Sequence, residues 1–352
     1  MARSKATSTE TRKQVYEEKL FRAMQKASYF APRFFSKDGS SIVHEKTNLE
    51  KEKGDTINFG LLKRLTGPGV TGNQTMKGNE EAISTPGNSV TLERYRNAVK
   101  DDGSLERQKA SFDLNDEMSA ALKVWGAEKI DQLCFDALGI GANSTAGQAP
   151  TLIAYPNSSA AFTLTSSTAT AKSGMDAANS KLTFDFLTKL KAFARTGGDR
   201  RYEPLKPILV DGKNYYVLIT SEDAVSDLKL TSDYKNANLY AQERGKDNPL
   251  FQGADAIWNG IVIHTSEFCY QDATAGGGTV PYTKSAFLGK QALMWAWGER
   301  PSIVEEDEDY EEFIGKCWRM TAGVKKAAFE SKDFGSIGVW LSRTNISGAT
   351  VS

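Results

Sequence analysis

Few side chains in this 352-residue chain could do chemistry, and their spacing argues against it. There are two histidines, His44 and His264. His264 falls in an apparent strand with no serine or cysteine constellation around it, so it reads as a structural imidazole and not as a general base. Gly276-Gly277-Gly278 resembles half of a phosphate-cradling loop. Thr279-Val280-Pro281 follows, however, where Gly-Lys-Ser/Thr and a helix start would be required. The run Glu305-Glu306-Asp307-Glu308-Asp309 could hold a hard cation through carboxylate oxygens, but it lacks the alternating spacing of a calcium loop. It reads as a solvated face or as a partner for basic side chains. Cys134, Cys269 and Cys317 lie far apart with no Cys-x-x-Cys spacing, which gives neither a disulfide framework nor a zinc site. No catalytic residue, metal or cofactor is expected.

Composition narrows the classes further. With 44 basic and 44 acidic side chains the formal net charge is zero. A protein whose main task was to coat nucleic acid would be strongly basic, so any contact with DNA must be local. Nowhere do about 18 apolar residues run together, and the opening MARSKATSTETRKQ lacks an apolar stretch, so neither an export signal nor a membrane anchor is expected. A reducing cytoplasm is the expected place of synthesis.

The elements that would position any functional side chain say more. Residues 112–138 read as one long helix, with Leu114, Met118, Ala121, Leu122, Trp125, Ile130, Leu133 and Ala137 on an apolar stripe. Ser111 or Asp113 would cap its start, and Gly139 would end it in a left-handed conformation. Ahead of it, residues 1–38 carry nine basic against four acidic side chains. This arm holds a short amphipathic pattern (Tyr16, Leu20, Phe21, Met24, Ala27) and then the aromatic run 29–35, which needs a surface to lie on, either its own domain or a neighbouring subunit.

Ile57, Phe59 and Leu61, then Val90 and Leu92, alternate with polar residues as two half-buried strands would. The glycine-rich hook between them reads as a projecting two-stranded finger, and part of its apolar cover is assigned to a neighbouring subunit. Residues 139–176 look like a surface excursion. A helix over 182–194 should end at Gly197-Gly198. Asp211-Gly212 and Asn259-Gly260 mark two tight hairpins, with a short helix opening at Ser221 between them. Strand-like stretches at 293–297, 313–328 and 337–341 close the chain.

That order of basic arm, finger, long helix, α+β domain and returning strands resembles the HK97-like fold of tailed-phage major capsid proteins. The resemblance is closest to the N4-like major capsid protein family. It is carried by Gly54-Asp55-Thr56-Ile57-Asn58-Phe59, Leu65-Thr66-Gly67, Gly69-Val70 with Gly72, and Gly78-Asn79-Glu80-Glu81. Further along come Arg96-Asn97-Ala98-Val99, residues 122–125 with Asp131, Asn248-Pro249-Leu250-Phe251 with Gly253, and Leu288-Gly289 with Gln291-Ala292. Asp309-Tyr310, Lys325-Lys326 with Phe329, and Asp333-Phe334-Gly335 complete the set; residues 139–176 match none of it.

The resemblance implies an α+β fold with an N-terminal arm (1–52), an extended E-loop (53–104), a peripheral domain with a spine helix (105–139 and 293–335) and an axial domain (140–292 and 336–352). It implies a structural subunit of an icosahedral virion shell, assembled in the host cytoplasm from pentamers and hexamers of itself around packaged DNA. Scaffold, portal and decoration proteins are further partners of such a shell. The expected subunit-interface residues are Tyr29, Phe30, Phe34, Phe35, Ile57, Phe59, Leu61, Leu65, Val70, Met76, Val90 and Leu92. The alternative is an enzyme of unknown class with glycine-rich lids over the middle domain.

Overall fold

The computed structural model describes residues 28–37, 39–47, 54–62, 65, 67, 69–105, 114–160, 162–200, 204–210, 212–231, 256–310 and 312–344. The amphipathic pattern of residues 16–27 and the expected helix caps Ser111 and Asp113 lie outside them.

The unbroken apolar run Leu293-Met294-Trp295-Ala296-Trp297 has no polar face, which suits a strand covered on both sides. It opens β14 (Leu293–Glu308), which turns at Asp309-Tyr310 into β15 (Phe313–Lys326). With β1 (Phe35–Ser36), β2 (Val43–Lys46) and β5 (Glu93–Lys100) these form a five-stranded sheet in the order β1-β2-β14-β15-β5. Strand β2 pairs with β14 in parallel, whereas β15 pairs antiparallel with both β14 and β5. Strand β2, from the segment read as arm, and β5, from the segment read as finger, are thus members of one sheet with the two long returning strands.

Helix α1 (Leu114–Ala137) lies on β15, where Trp125 meets Trp318 edge to face at a centroid distance of 5.1 Å. On the same face the nearly buried Lys316 donates from Nζ to the Asn115 carbonyl at 3.1 Å and to Ser119 Oγ at 2.9 Å, and Glu305 Oε1 lies 3.2 Å away. The buried row of α1 differs from the expected stripe. Ala121 is exposed and Leu133 half-buried, while Ser119, Gly126 and Asp131 are inside. The reason is that α1 touches more than one surface, so its covered side is wide and includes polar groups with partners of their own. Gly139 ends the helix with a φ of +77°, as expected.

The opposite face of β14 is covered by a two-stranded ribbon, β3 (Thr56–Gly60) and β4 (Gly87–Thr91), paired antiparallel. Ile57, Phe59 and Val90 pack there against Met294 and Ala296. Gly323 on β15 permits the close approach, since a Cβ at that position would collide with the Thr91 carbonyl and the Val90 side chain.

A second, nine-stranded sheet follows. Its strands are β6 (Ile153–Tyr155), β7 (Thr163–Thr165), β8 (Ile208–Val210), β9 (Lys213–Thr220), β10 (Ala256–Trp258), β11 (Ile261–Thr265), β12 (Gln271–Ala275), β13 (Val280–Leu288) and β18 (Ser336–Ser342). The order is β10-β11-β9-β13-β18-β6-β7, with β8 on β9 and β12 on β13. Both expected hairpins are present: Gly212 has a φ of +75°, and Asn259 and Gly260 have φ of +47° and +72°. Alternation sorts β9 between two cores: Tyr216 and Leu218 face α3 (Phe184–Arg200) and α4 (Glu222–Lys229), and Val217 and Ile219 join the core shared with α1.

One expectation fails in this sheet. Residues 139–176 are no surface excursion, because β6 is wholly buried beside β18, and Ala171 of α2 (Thr168–Gly174) and Met175 pack with Ile153 and Tyr155. Gly197 and Gly198 take left-handed φ of +65° and +57°, which breaks the right-handed course of α3 in its last turn, as expected.

The two sheets meet at a buried ion pair. Lys326 ends β15, and Asp333 lies in the short hairpin of β16 (Ala328–Phe329) and β17 (Lys332–Asp333) that leads into β18. Lys326 Nζ is 2.8 Å from Asp333 Oδ1, with 7% and 2% of the side chains exposed. Lys326 also donates to the Ala149 carbonyl, and Asp333 Oδ2 accepts from Thr151 N at 2.7 Å, both on the approach to β6. Asp333→Ala should therefore cost about 3–5 kcal/mol, the usual result of stranding one member of a buried pair, and Lys326→Met in the same chain should return part of the loss. Urea unfolding measures both; an Asp333→Ala protein as stable as the parent would mean that the pair is solvated.

Candidate assembly interface

The expected interface residues divide into three groups. Phe30, Phe34, Ile57, Phe59 and Val90 are buried within the subunit itself, at 0%, 0%, 6%, 4% and 1% exposure. They cannot face a neighbour, and the expectation is corrected for all five. The physical reason is local packing: Phe30 and Phe34 sit against Phe135 of α1 and His264 in the core that also holds the odd side chains of β14, and the finger's base covers the even face of that strand. Tyr29, Phe35, Leu61 and Leu92 are half-buried at the edges of these same packings, with the Phe35 ring 5.3 Å from Trp295. The third group is Leu65, Met76 and the half-buried Val70, all in the hook between β3 and β4.

That hook is a shaped projection. Leu61 N donates to the Pro86 carbonyl at 2.9 Å and closes its neck. Gly67 N and Gly78 N donate to the carboxylates of Glu81 and Glu80 at 2.6 and 2.7 Å, and Asn79 N to the Met76 carbonyl at 3.0 Å. At its root Asn88 Nδ2 donates to the Ala328 carbonyl, and Lys325 Nζ to the Ser89 carbonyl. Nearly every described residue of 62–85 is exposed, including Leu62 and Ile83 at 69% and 66%. Sequence reasoning missed these two. For Leu62 a signal existed, since adjacent Leu61 and Leu62 in a period-two strand must point to opposite sides; Ile83, alone in a polar stretch, carried none.

One further polar group holds the arm in place. Asp131 of α1 accepts from Ser28 Oγ at 2.5 Å, Tyr29 N at 2.7 Å and Phe30 N at 3.0 Å, so a single carboxylate satisfies three successive residues as they enter the core. Burial pushes its pKa above the ordinary carboxylate range, against the opposing pull of these hydrogen bonds and of Arg33. The same desolvation, with the Asp131 charge beside it, pushes the buried Cys134 thiol well up.

The residues examined for chemistry are structural in this setting. His264 in β11 is fully buried, its ring edge-on to Tyr29 and Phe34 at 6.0 and 5.6 Å. Gly276-Gly277-Gly278 forms the β12–β13 turn with all three φ positive, and a strand follows it. The acidic run lies on the exposed end of β14, where Glu308 pairs with Lys100 and Glu305 with Lys316. Cys134, Cys269 and Cys317 are free thiols. Among the described residues no group of three or more His, Cys, Asp or Glu could hold a metal ion.

Comparison with known proteins gives one answer. A family model described as phage capsid protein matches residues 7–341. The major capsid protein of Pseudomonas phage KPP25 is 29% identical over 369 residues, covering 95% of this chain and 96% of that one. The capsid of Ralstonia phage GP4 superposes with a TM-score of 0.77 at 23% identity, over 91% of this chain and 92% of that chain. The capsid asymmetric unit of cyanophage Pam1 gives 0.74 at 24% identity, over 91% and 93%. The fold is thus the α+β, HK97-like fold.

A carboxyl group whose pKa is raised by docking contributes stability that is fully present below the ordinary carboxylate pKa and is lost as pH rises through the raised value. The stability advantage of the parent over Asp131→Asn should therefore grow as the pH is lowered from 7 toward the carboxylate range, read by paired urea titrations. A difference that shrinks on acidification would show that the hydrogen bonds outweigh burial.

Proposed function

Because the chain belongs to the phage capsid protein family, we propose that its finger tip is the part that joins one copy to the next in the shell. The protein is a structural major capsid subunit, and its place is the wall of the virion. The enzyme alternative has no support.

The observation that carries the proposal is the split between the finger's root and its tip. The root is satisfied inside the subunit, while the tip places Leu62, Leu65, Met76 and Ile83 in solvent on a backbone shaped by its own hydrogen bonds. A group of exposed aliphatic side chains on a projection is an association surface, and a contact between unlike patches of identical chains repeats into a ring or shell. Many such contacts of moderate size sum to a stable wall.

In the finer reading, copies assemble as pentamers and hexamers in the host cytoplasm, with scaffold, portal and decoration proteins as further partners and packaged DNA touched only locally. A zero net charge is consistent with a wall that does not bind its DNA indiscriminately. The unit built on α1 and the five-stranded sheet corresponds to a peripheral domain and the nine-stranded sheet to an axial domain. Placement with the N4-like group rests on the ordered motifs of residues 54–335.

Two variants test this. Replacing residues 61–86 by an Asn-Gly turn joins β3 to β4 through a hairpin that suits their pairing, and should leave a cooperatively unfolding, soluble subunit. Substituting Leu65, Met76 and Ile83 together by Asp should change stability by no more than about 0.5 kcal/mol per site, the range of exposed positions. Neither protein should close shells under the electron microscope. Normal shells from both would remove the tip from the interface, and an unfolded triple variant would place the tip in the subunit's own core.

A further inference from the structure

A groove of about 730 Å³ opens between α1, the start of α4 and the turn after β11. Its wall is partly apolar: Val124, 57% exposed, and Phe268 face it. Its rim is mainly acidic: the exposed carboxylates Glu128, Glu222 and Glu267 outnumber the half-buried Arg33, and Glu222 also reaches Lys229 at 3.7 Å. Ser28, the first described residue, lines the same groove.

That preceding chain has matching chemistry. Residues 12–27, RKQVYEEKLFRAMQKA, carry Arg12, Lys13, Lys19, Arg22 and Lys26 against Glu17 and Glu18. Tyr16, Leu20, Phe21, Met24 and Ala27 recur at helical spacing, which predicts one apolar side and one basic side. We propose that residues 12–27 occupy this groove of their own chain, with the apolar side on Val124 and Phe268 and the basic side chains over Glu128, Glu222 and Glu267. The assignment to the same chain follows from the tether: a segment joined directly to Ser28 meets the groove at an effective concentration on the order of millimolar. Charge across the rim selects this segment over other exposed apolar stretches. Asp131 would then hold the strap at one end and the groove would hold its length.

The test uses the full chain as unassembled subunits, so its outcome is independent of whether the finger builds shells. A photo-crosslinking residue is placed at Val124, and the products are mapped by tryptic mass spectrometry. The expected result is an intrachain crosslink to a peptide from residues 12–27, lost in Lys19→Glu/Arg22→Glu and again in Glu128→Lys/Glu267→Lys. The first variant alters no described residue, which keeps the test valid should the second fold poorly. Crosslinks confined to other peptides would overturn the proposal, as would a covalent dimer joining residues 12–27 of one copy to Val124 of another. A crosslink undiminished by Lys19→Glu/Arg22→Glu would overturn the charge pairing.

Discussion

A strand that is apolar on both sides must be covered on both sides, and the subunit is arranged to meet that requirement for residues 293–297. Leu293, Trp295 and Trp297 belong to one core with α1 and the arm aromatics Phe30 and Phe34, and Phe35 packs directly on Trp295; Met294 and Ala296 take their cover from Ile57, Phe59 and Val90. The Trp297 indole Nε1–H donates to Glu45 Oε2 at 3.0 Å on the neighbouring β2. At roughly 25 cal/mol per Å² of apolar surface, side chains buried on both faces give this part of the subunit a strong resistance to opening. Arm, helix and finger root are consequently one packed body, although they come from separate parts of the sequence.

The same requirement explains how the finger can serve assembly without endangering the fold. Its root is anchored on β15 through Gly323 and Lys325 and on β16 through Asn88, so the hook beyond Gly60 and Gly87 is free to be polar, glycine-rich and exposed. Exposed aliphatic groups at that tip do little for one subunit and much for a contact between two. Folding energy and assembly energy are thus held in different residues of one ribbon.

Much of this was legible in the sequence. Asp-Gly and Asn-Gly turns located both hairpins, the apolar period located α1, and alternation located β3 and β4, because each depends on neighbours a few residues away. What covers an apolar face is not local information. The alternation of Ile57 and Phe59 shows that a face is buried but not whether β14 or a second copy covers it, and the arm aromatics were ambiguous for the same reason. Asp131 was hidden because a carboxylate inside an apolar row is recognisable only when its donors, about a hundred residues earlier at Ser28, Tyr29 and Phe30, are seen beside it. Residues 139–176 misled through their small side chains, since a short strand such as β6 is buried by its position beside β18 and not by its size.

Hydrogen–deuterium exchange on free subunits and on assembled shells of the same protein tests the central division most directly. The amides of residues 69–85 should exchange quickly in the subunit and become protected in the shell, while those of β3 and β4 stay slow in both. Equal exchange of residues 69–85 in the two states, or slow exchange of β3 and β4 only in shells, would contradict the account.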